Sequence, residues 1–153
     1  MISVVIPVRN EEHSIIPLLD SLKNQTLQPA EIIVADGGST DRTVEIVETY
    51  ESGAVSIHLV RGGPGFPGRG RNLGIDRASN EWVAFIDAGV KPSERWLEML
   101  AEVAQAPENP DVVYGSYEPV IHTLFEECAA IAFEKYLVVP ENRAYEVMRN
   151  FSF

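Results

Sequence analysis

Asp87 follows the short apolar run Trp82 to Ile86 and is followed at once by Ala88-Gly89. An acid where a buried strand stops, with glycine next to let backbone approach a ligand, is placed to hold a divalent metal ion. Two other acidic positions are set in the same way: Asn10-Glu11-Glu12 after the run Ile2 to Ile6, and Asp36 after Glu31 to Ala35. Carboxylates there can accept hydrogen bonds from the N–H groups of a base or from ribose hydroxyls, each charge-assisted bond contributing roughly 1.5–3 kcal/mol. Each acid also has a plainer reading. Asp36 could bond its own backbone in a turn, and Glu11 and Glu12 could occupy a helix first turn, where the dipole favours them.

Arg61, Arg69 and Arg71, three of the 12 basic residues, lie in or beside the stretch RGGPGFPGRGRN. Guanidinium groups and exposed loop N–H groups suit a diphosphate, although a solvated loop would read the same way. The stretch matches neither a Walker loop nor a strand-linked GxGxxG, and no GxSxG is present. His13, His58 and His122 show no metal-ligand spacing, and Cys128 falls on the apolar side of a helical pattern, which suits core packing.

The elements that must carry these residues alternate. Ile2 to Ile6 reads as a buried strand ended by Pro7, and Asn10 as the cap of a helix from about Glu11 to Lys23, with Ile15, Ile16, Leu18, Leu19 and Leu22 on one side. Glu31 to Asp36 reads as a second strand, and Val44 to about Glu51 as a helix. A third strand is expected from Val55 to Val60. The segment Arg61 to Arg71 is too rich in glycine and proline for a regular element, so the next helix is expected over Gly70 to Ala78, with Arg71 in its first turn. After the strand Trp82 to Ile86, Ser93 caps a helix with apolar Trp96, Leu97, Leu100 and Val103. A strand from Val112 to Tyr117 and a helix from Thr123 to about Leu137 complete the pattern. Such alternation favours an α/β fold, a mostly parallel sheet with helices on both faces.

A chain of 153 residues, 45% hydrophobic and 23% charged, supports one globular domain over 1–153. Its net charge of -11 argues against a nucleic-acid or anionic-membrane surface, and an anionic substrate would need a local cation. A single cysteine permits no internal disulfide, and MISVVIP lacks the features of a signal peptide, so a cytoplasmic setting is expected. No apolar run reaches transmembrane length.

VVIPVRNEE at Val4 to Glu12, EIIVADGGSTDRT at Glu31 to Thr43, and GRGRNLGIDRASNEWVAFIDAGVKP at Gly68 to Pro92 resemble, in order, the motifs of family 2 glycosyltransferases with the Rossmann-like GT-A fold. The resemblance runs to about Tyr117. It implies a nucleotide-sugar donor, most often a uridine diphosphate sugar, and transfer with inversion to an acceptor that the sequence does not identify. It implies that Pro7, Val8, Arg9 and Glu11 line the base and ribose pocket, that Asp36 bonds the base, and that Arg71 lies next to the nucleotide. Asp87 then corresponds to the first acid of the metal-binding DxD, holding Mg or Mn with Ala88 beside the nucleotide, and is the one catalytic residue assigned.

The family's second acid is replaced here, since the triplet is Asp87-Ala88-Gly89. No general base is assigned. The apolar end, Asn150 to Phe153, reads as a chain lacking the acceptor-binding part, or as a surface for self-association into a homo-oligomer; attachment at the periphery of a membrane is compatible with either. Two other classes compete: a non-catalytic nucleotide-sugar-binding or scaffold module with a degenerate DxD, and a nucleotidyltransferase. The latter would carry a basic glycine-rich signature directly after the first strand, where PVRNEE stands.

Overall fold

The computed structural model describes residues 1–65, 67–107, 110–113 and 115, together with the backbone of 147–149. Its centre is β1 (Ile2–Val8), in which every residue but Pro7 is buried. A strand covered on both faces must be apolar on both, which is why β1 and β2 (Glu31–Asp36) read as continuous apolar runs. With β3 (Ser56–Arg61), β4 (Trp82–Phe85), β5 (Val112–Val113) and β6 (Val147–Arg149) they form one sheet in the order β3-β2-β1-β4-β6-β5. β1 runs parallel to β2 and to β4, and β2 parallel to β3. Only β6 runs against its neighbours β4 and β5. The expected α/β architecture with a mostly parallel sheet is therefore present.

Alternate strand residues feed two apolar layers. Val4, Ile6, Ile32, Val34, Ala84 and Ile86 pack with Ile15, Leu18, Leu19 and Leu22 of α1 (Ile15–Lys23), with Val47 of α2 (Thr43–Thr49), and with Leu97 and Leu100 of α4 (Trp96–Ala104). Each of these buried leucines stabilises the fold by roughly 1.5–3 kcal/mol relative to exposure. On the opposite face Val5, Ile33, Val83 and Phe85 pack under Ile75 and Ala78, which belong to or directly follow α3 (Pro67–Arg77). Helices thus cover both faces.

Several local expectations are corrected. β1 does not stop at Ile6 but runs through Pro7 to Val8. Pairing with β4 ends at Val5↔Phe85, and Val8 accepts the Gly37 N–H on the β2 side. Strand alternation then turns Pro7 toward the β4 side beyond the last pair, where a missing N–H costs nothing. Asn10 is not a helix cap: it has φ 59°, and α1 starts only at Ile15, after Ser14. The glycine-rich stretch is not irregular up to Arg71, because α3 begins at Pro67, a residue preorganised for a first helical position. Ser93 gives no side-chain cap to α4, which starts after Arg95, and Val103 is exposed, as is Ile16 of α1, which lies off the buried face of its helix.

The glycines in α3 explain why so poor a helix former is used. A Cβ at Gly70 would stand 3.2 Å from Pro7 Cβ, and one at Gly74 would stand 2.2 Å from Val5 Cγ1. Their absence of a side chain lets α3 lie directly on β1. The strand expected over Val112 to Tyr117 is described only as Val112–Val113. The helix expected from Thr123 to Leu137, Cys128, and the apolar end suggested for self-association lie outside the described residues.

At the pole of the sheet where β1 begins, Glu31 is buried and its Oε1 accepts hydrogen bonds from Ser3 Oγ at 2.7 Å, Ser79 N–H at 2.8 Å and Ser79 Oγ at 2.7 Å. Asn80 Nδ2 donates to the same oxygen at 3.3 Å, and His58 Nε2 stands 3.5 Å from Oε2. Burial works to raise the Glu31 pKa. The hydrogen bonds from Ser79 and Ser3 and the attraction of His58 outweigh it and hold the carboxyl below its ordinary value.

Candidate functional site

The strand order reverses at β1: β2 and β3 lie to one side of it and β4 to the other. Loops leaving the two sides part there, which opens a crevice beyond the carboxyl ends of the strands. A cleft of about 370 Å³ occupies that place, lined among others by Pro7, Val8, Arg9 and Glu11 after β1, and by Asp87, Ala88 and Gly89 after β4. Gly65, Pro67 and Gly70, from the approach to α3 and its first turns, form a further wall. Six of the residues expected at the site, Pro7, Val8, Arg9, Glu11, Asp87 and Ala88, are thus brought together.

Asp36 and Arg71 do not line this cleft but brace it. Asp36 is 5% exposed, and its two carboxylate oxygens accept the N–H groups of Gly38 at 3.2 Å and Ser39 at 3.0 Å. That is the turn-forming arrangement, and it leaves lone pairs for a further donor. Its carbonyl accepts the Gly62 N–H at 2.9 Å, so one residue ties the β2 loop to the start of the glycine-rich stretch. Arg71 Nη2 lies 2.8 Å from Asp87 Oδ1 across the β4 side. Its Nε is buried and meets no acceptor among the described residues, a position that costs about 1–3 kcal/mol when left so.

The other two arginines of the stretch turn elsewhere. Arg61 pairs with Glu48 on the surface at 2.5 Å, and Arg69 Nη1 donates to the Pro64 carbonyl at 3.4 Å. The glycine-rich segment therefore offers one guanidinium at the cleft acid where three were in reach by sequence.

The residues that sequence reasoning missed are those that hold the β1 and β2 loops to each other. Asn10 N–H donates to Ser39 Oγ at 3.0 Å, and Asn10 Oδ1 accepts the Thr40 N–H at 2.8 Å. Glu11 N–H donates to Thr43 Oγ1 at 2.8 Å and Glu12 N–H to Asp41 Oδ2 at 3.1 Å, while Glu12 Oε2 accepts the Arg42 N–H at 3.0 Å. Ser14 Oγ donates to the Glu11 carboxylate. The available signal was the pairing of an Asn-Glu-Glu run with a Ser-Thr-Asp-Arg-Thr run, each able to satisfy the other's backbone.

A divalent cation fits this cleft only in company. Among the described residues Asp87 is the single carboxylate that lines the cleft on the β4 side, and they include no group of three or more His, Cys, Asp or Glu side chains able to hold a metal ion. One carboxylate joined by phosphate oxygens and water is, however, a usual donor set for Mg. Among the described residues no helix is long and apolar enough to cross a membrane.

The sequence profile of glycosyl transferase family 2 matches residues 3–140. An uncharacterized glycosyltransferase, EpsJ of Bacillus subtilis, is 31% identical over 118 residues, 77% of this chain and 34% of that protein. The Staphylococcus aureus TarS fragment 1–349 in complex with UDP is similar with a TM-score of 0.69 and 30% identity, over 80% of this chain and 37% of that one. Mannosyltransferase PcManGT of Pyrobaculum calidifontis, in complex with GDP-Man and Mn2+, is similar with a TM-score of 0.68 and 25% identity, over 77% of this chain and 36% of that one. The chain thus spans about a third of EpsJ and a little over a third of the TarS fragment and of the PcManGT chain.

Proposed function

The chain belongs to glycosyl transferase family 2, and from that premise we propose that it is the donor-binding part of a glycosyltransferase. It holds a nucleoside diphosphate sugar, a uridine diphosphate sugar first among them, for transfer of the sugar with inversion to an acceptor. The observation that carries this reading is the convergence of Pro7, Val8, Arg9, Glu11, Asp87 and Ala88 on one cleft at the switch point of the sheet. The UDP bound to TarS and the GDP-Man and Mn2+ bound to PcManGT support a donor of this class.

On this reading Pro7 and Val8 give an apolar wall for the base. The Glu11 carboxylate and the spare lone pairs of Asp36 accept hydrogen bonds from ribose and base. Arg71 reaches the diphosphate from beside Asp87, the N–H of Gly65 in the cleft wall adds a donor, and Ala88 brings backbone close to it. Asp87 is the residue that would hold Mg or Mn, through its one carboxylate. When bound, the cation supplies charge neutralisation for the departing diphosphate. The β1 and β2 loops, fastened to each other, keep the base wall in place while the sugar is presented past Gly89.

Gly89 favours one second reading: with no acid there, the chain could bind the donor without supporting transfer. Calorimetric titration with uridine and guanosine diphosphates, with and without Mn, tests the shared premise, and sugar delivered to an added acceptor separates the two readings. Absence of binding to both diphosphates in either condition would overturn both.

A further inference from the structure

We propose that Arg71 and a divalent cation are mutually exclusive partners of Asp87, and that an arriving diphosphate exchanges one for the other. The proposal rests on the donor-binding reading and adds an order of events to it. Arg71 Nη2 sits 2.8 Å from Asp87 Oδ1, on the carboxylate that a cation would need. Two cations on one carboxylate repel each other at contact distance, and Gly89 offers no second acid to hold the metal aside.

The arginine's present position is incomplete. Its Nε is buried without an acceptor among the described residues, so the ion pair with Asp87 uses one edge of the guanidinium fork and leaves another donor unserved. A diphosphate presents several oxygens in the geometry that fork accepts best, and can serve Nε and Nη together. Gly70 and Gly74 already seat α3 directly against Pro7 and Val5, which leaves the helix no room to move closer to the sheet. It is the side chain that turns. In doing so it releases Asp87, whose side chain is 61% exposed, to a cation arriving with the diphosphate. Metal and diphosphate therefore bind synergistically for a reason beyond their direct coordination: Arg71 blocks the metal until phosphate removes it.

The test compares the full chain with its Arg71→Gln variant. Mn binding without nucleotide is followed by water-proton relaxation, and uridine diphosphate binding by calorimetry. Arg71→Gln is expected to weaken diphosphate binding yet strengthen the binding of Mn alone by about threefold to fivefold, the range set by a partly exposed ion pair. A plain phosphate-contact role for Arg71 predicts the first change without the second. If the variant does not fold, the unmodified chain still decides: its Arg71 Nε–H resonance should shift on adding uridine diphosphate without metal. Unchanged Mn affinity in a folded Arg71→Gln, or an unmoved Nε–H signal under saturating diphosphate, would overturn the exchange while leaving donor binding intact. Failure of the unmodified chain to bind diphosphate at all would overturn the donor reading and the exchange with it.

Discussion

Gly74 of α3 rests on Val5 of β1 so closely that a Cβ at 74 would come within 2.2 Å of Val5 Cγ1 and 2.8 Å of Cγ2. This contact fixes the height of the helix above the sheet, and with it the positions of Gly70 in the cleft wall and Arg71 beside Asp87. Gly74→Ala is expected to destabilise the protein by about 1–3 kcal/mol through overpacking, less the gain of up to about 1 kcal/mol in helix propensity. Urea unfolding of the single variants and of Gly74→Ala with Val5→Ala should reveal favourable coupling between the pair, since Val5→Ala removes the obstructing methyls. Independent, additive effects would mean that the helix rises freely off the strand.

Asp36→Ala should act twice. Loss of the acceptor for two loop N–H groups should lower stability by about 1–3 kcal/mol, and loss of a charge-assisted bond to the nucleotide should weaken uridine diphosphate binding by about tenfold or more. Calorimetry performed well below the unfolding transition separates the two effects. A folded variant with unchanged affinity would leave Asp36 with its turn alone.

Gly89→Asp should be accepted by the fold, because a Cβ at 89 meets nothing within 4 Å. With a second carboxylate near Asp87, Mn-dependent binding of uridine diphosphate should become tighter, while metal-free binding should fall through added negative charge. An equal change with and without Mn would place position 89 away from the cation.

Glu31 predicts a pH dependence of stability. Its folded pKa lies below the ordinary 4.5, so the folded state binds fewer protons than the unfolded one on the acid side. The stability it contributes is fully present above about pH 4.5 and is lost as pH falls through the folded value. Glu31→Gln should therefore flatten the acid limb of a stability-against-pH curve. At neutral pH it should also cost about 1–3 kcal/mol, since Ser3, Ser79 and Asn80 lose a charged acceptor. An acid limb of unchanged slope would assign the pH dependence to other carboxylates.

The strands and their order along the chain could be read from the apolar runs, because a strand buried on both faces has little compositional freedom. Asp87 and Glu11 were legible for a related reason: an acid directly after such a run falls at the rim of the sheet. Pro7 and Pro67 misled, since a proline's effect depends on which side its missing N–H faces and on whether it opens or interrupts a helix. Neither fact is local. Asn10 suggested a cap, yet its partners lie 29 and 30 residues away, at Ser39 and Thr40. β6 carried too short a pattern to announce itself, and its place between β4 and β5 is set by pairing across the sheet. The pairing of Arg71 with Asp87 likewise depends on how α3 is seated, which no spacing along the chain discloses.

The fastening between the β1 and β2 loops bears on how nucleotide preference could be altered by chimaeras. Residues 9–12 and 39–43 form one hydrogen-bonded unit, because the N–H groups of Asn10, Glu11 and Glu12 all end on side chains from the other segment. Importing 39–43 from a relative while keeping 9–12 would strand those donors, and importing 9–12 alone would take Asn10 Oδ1 and Glu12 Oε2 away from the N–H groups of Thr40 and Arg42. Re-tailoring the base wall thus means exchanging two segments that are distant in the gene as though they were one.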